Sequence, residues 1–572
     1  MFAKYYQDEL AWLREMGAEL AAARPEMARF LGEPGADPDV ERLLEGFAFL
    51  TGRIREKLDD EFPEITHGLM DMFSPHYLRP IPAMAILQVT PKPNLATEGA
   101  VLPRGSLVES NPVDGTRCRF RTASELRPAP VTLRSVELQH GHHPKLVLEL
   151  QSRGAQANRR PGPLRLHLTG DPQVSRALFV ALCAHVDTVQ VRAGGAGATA
   201  TPVPVRIRPG GLGDDEAALP TPPGSFRGFR LLQEYFAFPE RFLFVDLHGL
   251  ERHLGATTRL EFVFRQLPQD MPPVGNGNVL LDCVPVVNLF EHDADPMRAV
   301  AGRTEYRVRP AGKQSDHYEV HSVSRVSGRV RGAAQQESYR PYFSFEPRVS
   351  TDGRFYQLRR SESLRANGSD TYLRLGIQDP EQLSELDTIS VDLVCSNRDL
   401  PTRLGPGDIC HPAPDSPNAF QYRSIGTPSP PIQPPSGDEV HWRLLSHLTL
   451  NLRRIADRDS LCTALSLYDF RARTDRQARR RLDNLMQAIQ KVTLGRGVEL
   501  FEGLPVNGSD LRLEIDEEQA GGEGEVYLLG TILGEFFAHY VSLNSYSRLS
   551  IQCTGNNEVF AWPARIGQRI SL

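Results

Sequence analysis

The spacing of apolar residues changes at Met84, and no other feature constrains the fold of this chain as strongly. Before that point Tyr6, Leu10, Leu13, Gly17 and Leu20 recur at three- and four-residue steps until Pro25 interrupts them. That is the period of one helix face. A second stripe, Leu43, Phe47, Leu50, Ile54 and Leu58, follows Asp37-Pro38, an N-cap acceptor with a proline suited to the first helical turn. A third, shorter run takes Ile65, Leu69 and Phe73 up to Pro75. Helices this short cannot bury their stripes alone, so they must pack on each other, on the rest of the chain or on another subunit.

From Met84 the texture becomes alternation broken by turn residues. AILQVTP, SLVES, CRFRT, KLVLELQ and LRLHL, then RLEFVFR, NVLLDCVPVVNLF, HYEVHSVSRVSG and TISVDLVCSN, all read as short strands. Breaks fall at 194–201 and at Gly210 to Pro223, either of which fits a large loop inside one domain. The stretch from Pro401 to Pro435 is so dense in proline that it reads as an ordered arm or linker without regular ladders. Beyond it WRLLSHLTLNLRRI and TDRQARRRLDNLMQAIQKVTL look helical, the second opened by Thr474 and Gln477 at capping-box spacing. DLRLEID, a helix through Leu528, Ile532, Phe536 and Tyr540, and the strands RLSIQC and RISL complete the chain. The fold class is therefore α+β and multidomain. The expected parts are an N-terminal helical segment (1–82), a β-rich domain (83–270), a second β-rich domain with the proline-rich arm (271–435) and a mixed α/β C-terminal domain (436–572).

A length of 572 residues suits three or four such units at ~100–200 residues each. A formal net charge of -6 gives no global attraction to a polyanion, so no nucleic-acid partner is expected. The basic run from Arg471 to Arg481 reads as a solvated or partner-facing helix face. Seven scattered cysteines with no Cys-x-x-Cys pair suit a reducing cytosol. The N-terminus carries acidic and aromatic residues where a signal peptide needs a basic start, and no stretch of eighteen apolar residues occurs. Direct membrane insertion is not expected.

Three clusters could carry chemistry. His140, His142 and His143 form a histidine group in a Gly-containing turn, with no obvious complementary ligand nearby in sequence. Glu291, His292, Asp293 and Asp295 could ligate a hard cation or act as an acid/base pair, yet they equally cap and solvate a turn. The carboxylates between Leu58 and Glu64 sit at a helix C-terminal end, where negative charge opposes the macrodipole, which favours a partner contact. No nucleophile elbow, phosphate loop, dinucleotide fingerprint or zinc-protease motif occurs. No catalytic, cofactor-binding or metal residues are assigned. Two other readings compete with a structural role: a glycosidic hydrolase using carboxylates among Glu291, Asp293 and Asp295, and a carbohydrate-binding protein with an exposed aromatic row.

The segments YYQDELAWLREMGAELAAARPEMA, DPDVERLLEGFAFLTGRIREKLDDEFPEITHGLMDMFSPHYLRPIPAMAI, LLQEYFAFPERFLFV, CVPVVNLFEHDADP, VCSNRDLP, WRLLSHLTLNL and YLLGTILGEFFAHYVSLNSYSRL, in this order from Tyr5 to Leu549, resemble the TssF (ImpG, VasA) family of type VI secretion baseplate proteins. The resemblance implies a non-enzymatic wedge subunit of a contractile, phage-tail-like machine, with no cofactor. Its implied partners are TssG and a second TssF copy, TssK, TssE and the spike hub VgrG, with the sheath contacted indirectly. The implied place is the cytoplasmic face of the inner membrane. Together with the helical stripes it makes Tyr6, Leu10, Leu13, Leu20, Phe47, Leu50 and Ile54 the expected partner-binding residues, with the β modules as stiff spacers and firing as a rearrangement of interfaces.

Overall fold

A computed structural model describes residues 2–24, 37–59 and most of 68–435 and 452–567; the stretches outside the description include 60–67, 93–99, 154–161, 343–353, 378–385 and 436–451. The chain divides into two units, residues 1–72 with 435–448, and residues 73–434 with 449–572.

The described part of the first unit is built on two helices, α1 (Phe2–Ala23) and α2 (Pro38–Asp59). Asp37 caps α2 as its sequence predicts, accepting from Asp39 N at 3.0 Å and Val40 N at 3.4 Å. The two helices pack on each other, with Leu10 and Ala48 buried and Arg14 paired to Glu41. The third helical run is described only at residue 68 and residues 70–73, so Ile65 and Leu69 lie outside the described residues, as do most of the carboxylates between Leu58 and Glu64.

The second unit carries the sheets. Its first sheet has six strands in the spatial order Ile409–Pro412, Leu107–Val113, Thr116–Thr122, Cys283–Val287, Met84–Pro91, Phe420–Ile425. Alternation places its side chains: in Thr116–Thr122 the residues Cys118 and Phe120 turn inward while Arg117 and Arg119 face outward. Cys283–Val287 is buried throughout, as a continuous apolar run in a sheet interior must be. The edge strands approach each other, Gly407 N donating to Ser424 O at 2.9 Å, so the sheet curls toward a barrel around Leu87, Phe120, Val286 and Phe420.

That sheet corrects the reading of the proline-rich stretch. Phe420–Ile425 runs antiparallel to Met84–Pro91 in register from Ile86 to Pro91, and Ile409–Pro412 pairs with Leu107–Val113. The prolines occupy the turns and a strand end, where no ladder donor is lost.

A five-stranded sheet (Val131–Gln139, Lys145–Ser152, Thr257–Phe264, Val186–Ala193, Thr201–Val203) and a four-stranded sheet (Val279–Leu281, Leu164–Leu168, Phe244–His248, Arg206–Pro209) follow. The eight-stranded sheet centres on Glu319–Val330 and Leu386–Ser396 and has its own core of Phe290, Val326, Leu373 and Ile389.

Helices interrupt the β territory where only strands were expected: α3 (Pro172–Ala184), capped by Asp171, and α4 (Arg227–Ala237). They pack with the C-terminal helices α5 (Arg458–Tyr468) and α7 (Glu523–Ala538) through aromatic contacts, while α6 (Arg476–Ala488) lies between them in sequence. Phe229 of α4 stacks on Tyr468 at 4.5 Å, Phe226 lies 4.5 Å from Tyr540, and Tyr77 meets Phe470 edge-on at 4.8 Å. The aromatic segments around residues 226–245 and 536–546 are thus core.

Two further corrections concern the C-terminal region. The cap of α6 is Asp475, which accepts from Gln477 N at 2.8 Å and Ala478 N at 3.4 Å, rather than Thr474. And α6 ends at Ala488: the alternating residues from Ile489 onward form one arm of a long hairpin, Ile489–Phe501 with Leu504–Ile515. Leu504–Ile515 then pairs in parallel with Tyr546–Cys553, the connection passing through α7. The expected helix at 442–451 and the strand RISL lie outside the described residues, apart from Leu452–Ile455, which is helical.

Candidate partner interface

Two 22-residue helices packed side by side can cover only the stripes that face each other. In α1 that stripe is Leu10, buried, with Tyr6 and Leu13 half-buried. Trp12 and Met16 turn away from Leu10 and stay exposed, Trp12 at 55%, and Leu20, in line with Leu13 two turns further on, is exposed as well. In α2 the exposed residues are Leu43 (73%), Phe47 (57%), Phe49 and Leu50 (61%), while Ala48 and Gly52 turn inward. Positions 43, 47 and 50 are one i, i+4, i+7 line along a helix.

The structure therefore separates the seven residues singled out from the sequence. Tyr6, Leu10 and Leu13 lie on the partly or fully covered side of α1, whereas Leu20, Phe47 and Leu50 are exposed; the side chain of Ile54 lies outside the described residues. Trp12 and Met16 were not singled out, although their four-residue spacing with Leu20 is a legible signal. Covering a large apolar side chain fully is worth ~1.5–3 kcal/mol, so the exposed parts of Trp12, Met16, Leu20, Leu43, Phe47 and Leu50 are a substantial unspent association energy. The chemistry this surface can perform is association with another apolar helix face.

The other sequence candidates do not converge. His140, His142 and His143 are exposed in the turn between Val131–Gln139 and Lys145–Ser152. In the strand Phe290–Asp293, Phe290 points into the core and Glu291 and Asp293 are exposed. His292 lies against Tyr318 at 4.9 Å and its Nε2 is 2.8 Å from Ala311 O, and Asp295 is exposed beyond the strand. These carboxylates form no ligand cluster among the described residues. Arg476, Arg479, Arg480 and Arg481 are exposed on α6, whose buried residues are Leu482, Leu485 and Ala488, while Arg471 and Arg473 sit in the turn before it, Arg471 paired to Asp475 at 3.2 Å. Among the described residues no helix is long and apolar enough to cross a membrane.

Sequence reasoning missed a buried charge device in the second unit. Arg241 and Glu234 are both fully buried and form an ion pair. The same guanidinium donates from Nη2 to the carbonyls of Gly211 and Glu216, each at 2.9 Å, and Glu234 Oε1 accepts from Leu219 N at 2.8 Å. Arg165 clamps Asp246 with two bonds of 2.7 Å and also pairs with Glu216. The Gly/Pro-rich stretch after Gly210 is thereby fixed against α4 as an ordered loop. Gly211 sits at φ 81°, where a Cβ would meet Arg241 O at 2.8 Å, so only glycine fits.

The sequence profile described as "Type VI secretion system, TssF" matches residues 1–569. The chain is 31% identical over 633 aligned residues to the type VI secretion system component TssF1 of Pseudomonas aeruginosa, covering 100% of this chain and 99% of that protein. Among solved structures it resembles a chain of a type VI secretion system TssK-TssF-TssG baseplate subcomplex, with TM-score 0.74 and 29% identity over 93% of this chain and 100% of that one. It also resembles a chain of the baseplate complex from the type VI secretion system, with TM-score 0.68 and 28% identity over the full length of both.

Proposed function

Because the chain belongs to the TssF family of type VI secretion system proteins, we propose that it is a structural subunit of the baseplate, joined to TssG and TssK as the solved relatives are. The observation that carries the reading is the line of exposed apolar residues on α1 and α2, Trp12, Met16, Leu20, Leu43, Phe47 and Leu50, beside a hidden stripe of Tyr6, Leu10 and Leu13. The hidden stripe holds the helix pair together. The exposed line is the docking face for helices of TssG or of a second copy of this chain; Ile54 is assigned to the partner-binding set on its sequence spacing alone.

TssE, the spike hub VgrG and, indirectly, the sheath are the further partners of this assembly, at the cytoplasmic face of the inner membrane. The work of the protein is then done by choosing between interfaces and not by a chemical step: the sheets act as stiff spacers, and firing changes which contacts are populated. Nothing in the arrangement of Glu291, Asp293 and Asp295 supports a hydrolase, since exposed carboxylates on a strand and its following turn line no shared cleft.

Coexpression with TssG and TssK followed by native mass measurement tests the assignment. The expected result is a stable complex containing this chain. A soluble monomer that ignores both partners would overturn it.

A further inference from the structure

Three residues from distant parts of the chain meet in the second unit. His185 follows the last turn of α3, Glu523 is the first residue of α7, and Glu558 lies in the turn between Tyr546–Cys553 and Val559–Ala561. One imidazole nitrogen and one carboxylate oxygen from each glutamate lie within 4.8 Å of one another. His185 Nδ1 is 3.5 Å from Glu558 Oε1.

Two observations set this group apart from an ordinary acidic surface. First, it contains polar atoms sealed from solvent: His185 is only 5% exposed, and His185 Nε2 and Glu523 Oε2 have no hydrogen-bond partner among the described residues. A buried polar atom left without a partner costs about 1–3 kcal/mol. Second, among the described residues no lysine or arginine forms an ion pair with either glutamate; Arg265, which lies next to His185, pairs with Asp187 instead.

The surroundings hold these donors in place. Asn556 Nδ2 donates to Glu523 Oε1, and Gln266 Nε2 donates to Glu558 Oε1 at 3.0 Å. The turn that presents Glu558 is pinned by Glu517, which accepts from Gly555 N at 3.0 Å and Asn556 N at 2.8 Å, and by Glu558 N donating to Asn556 Oδ1 at 2.9 Å. Outer partners of this kind orient metal ligands.

We propose that His185, Glu523 and Glu558 form a binding site for one transition-metal dication of the zinc class, a staple joining α3, α7 and the 554–558 turn. An imidazole nitrogen with two carboxylate oxygens suits Zn2+ over Mg2+ or Ca2+, which take oxygen donors alone. Metal bonds of ~2.0–2.2 Å require the donors to draw together slightly, which side-chain rotation supplies, and three protein ligands leave the fourth position to water.

The full chain, stripped with a chelator and dialysed, is titrated with Zn2+ by calorimetry. The expected result is one equivalent bound per chain, unaffected by excess Mg2+, with a raised melting temperature. Glu558→Gln is expected to weaken binding at least tenfold; glutamine keeps the side chain's shape and an oxygen to accept from Gln266, so this variant is expected to keep its fold by circular dichroism. A variant with His140, His142 and His143 all changed to alanine removes the other histidine-rich zinc candidate and is expected to keep the equivalent. Co2+ added to the unaltered chain is expected to give the intense visible bands of a low-coordinate site, a readout independent of any variant. Absence of saturable Zn2+ uptake, loss of uptake only in the triple-histidine variant, or Co2+ spectra of the hexa-aquo ion would each overturn the site.

Discussion

Phe47→Asp is the sharpest probe of the exposed line on α2. Phe47 is 57% exposed, so the free chain has little to lose: surface substitutions cost within ~0.5 kcal/mol, plus a similar amount for aspartate in a helix interior. In the complex the ledger differs. Covering the exposed half of a phenylalanine contributes ~1–1.5 kcal/mol, and forcing a carboxylate into an apolar contact costs at least ~2.5 kcal/mol more. The sum of ~4 kcal/mol corresponds to roughly a thousandfold weaker binding, enough to abolish copurification. The assay is coexpression with tagged TssG, with circular dichroism on the same variant to show that the helix pair persists. Leu10→Asp is the contrasting case: Leu10 is 8% exposed, so the charge enters the packing of α1 on α2 and helicity itself is expected to fall. If Phe47→Asp binds TssG normally while remaining folded, the exposed line is not the docking face.

Other consequences follow from the second unit. Glu234→Gln leaves the Arg241 guanidinium buried without its counter-charge and is expected to cost about 3–5 kcal/mol in urea unfolding; a loss below 1 kcal/mol would mean the pair is not the latch on the 211–219 loop. Phe229→Ala empties the stack on Tyr468 and the contact with Phe536, an expected loss of about 3–5 kcal/mol by the same measurement, with a change under 1 kcal/mol refuting the shared aromatic core. Acid sensitivity has a worked sign. Burial, with Arg79 adding to it, pushes His76 down to about 3, and burial pushes His167 to about 3, so both stay neutral when folded while the unfolded chain protonates below 6.5. Stability present above pH 6.5 is therefore lost as pH falls, by about 1 kcal/mol per histidine between pH 6.5 and 5.5. Asp469, raised by burial to about 6, works the other way: its contribution is largest below its unfolded value and disappears as pH rises through 6, so it offsets part of the loss. Urea midpoints at pH 6.5 and 5.5 measure the balance, and a higher midpoint at pH 5.5 would contradict it.

Much of the local structure could be read from residues alone, for reasons that are local. Asp37-Pro38 announces α2 because cap chemistry acts within one turn, and Thr116–Thr122 declares its faces by strict alternation. The failures share a different cause. In α3 the run Leu178–Cys183 is apolar on every side, and a helix buried all round carries no amphipathic period. At 409–425 the proline count argued against strands, yet the ladder needs donors only at particular positions, and those prolines avoid them. After Ala488 a helical and a strand pattern meet without a breaker, and only pairing with Leu504–Ile515 decides where one ends.

The candidate interface shows the same division. That α1 and α2 carry apolar stripes follows from spacing; which stripe is spent on the helix pair and which is left over does not, because both have helical period. Leu10 and Trp12 are two residues apart and face different ways, one into the pair and one into water. The deciding quantity is how many apolar faces the unit offers against how many its own helices can cover. With the two described helices packed on each other, Trp12, Met16, Leu20, Leu43, Phe47 and Leu50 stay exposed. A remainder of large apolar side chains favours association with another surface, which supports the proposed assembly role even though the assignment of each residue to a stripe needs the structure.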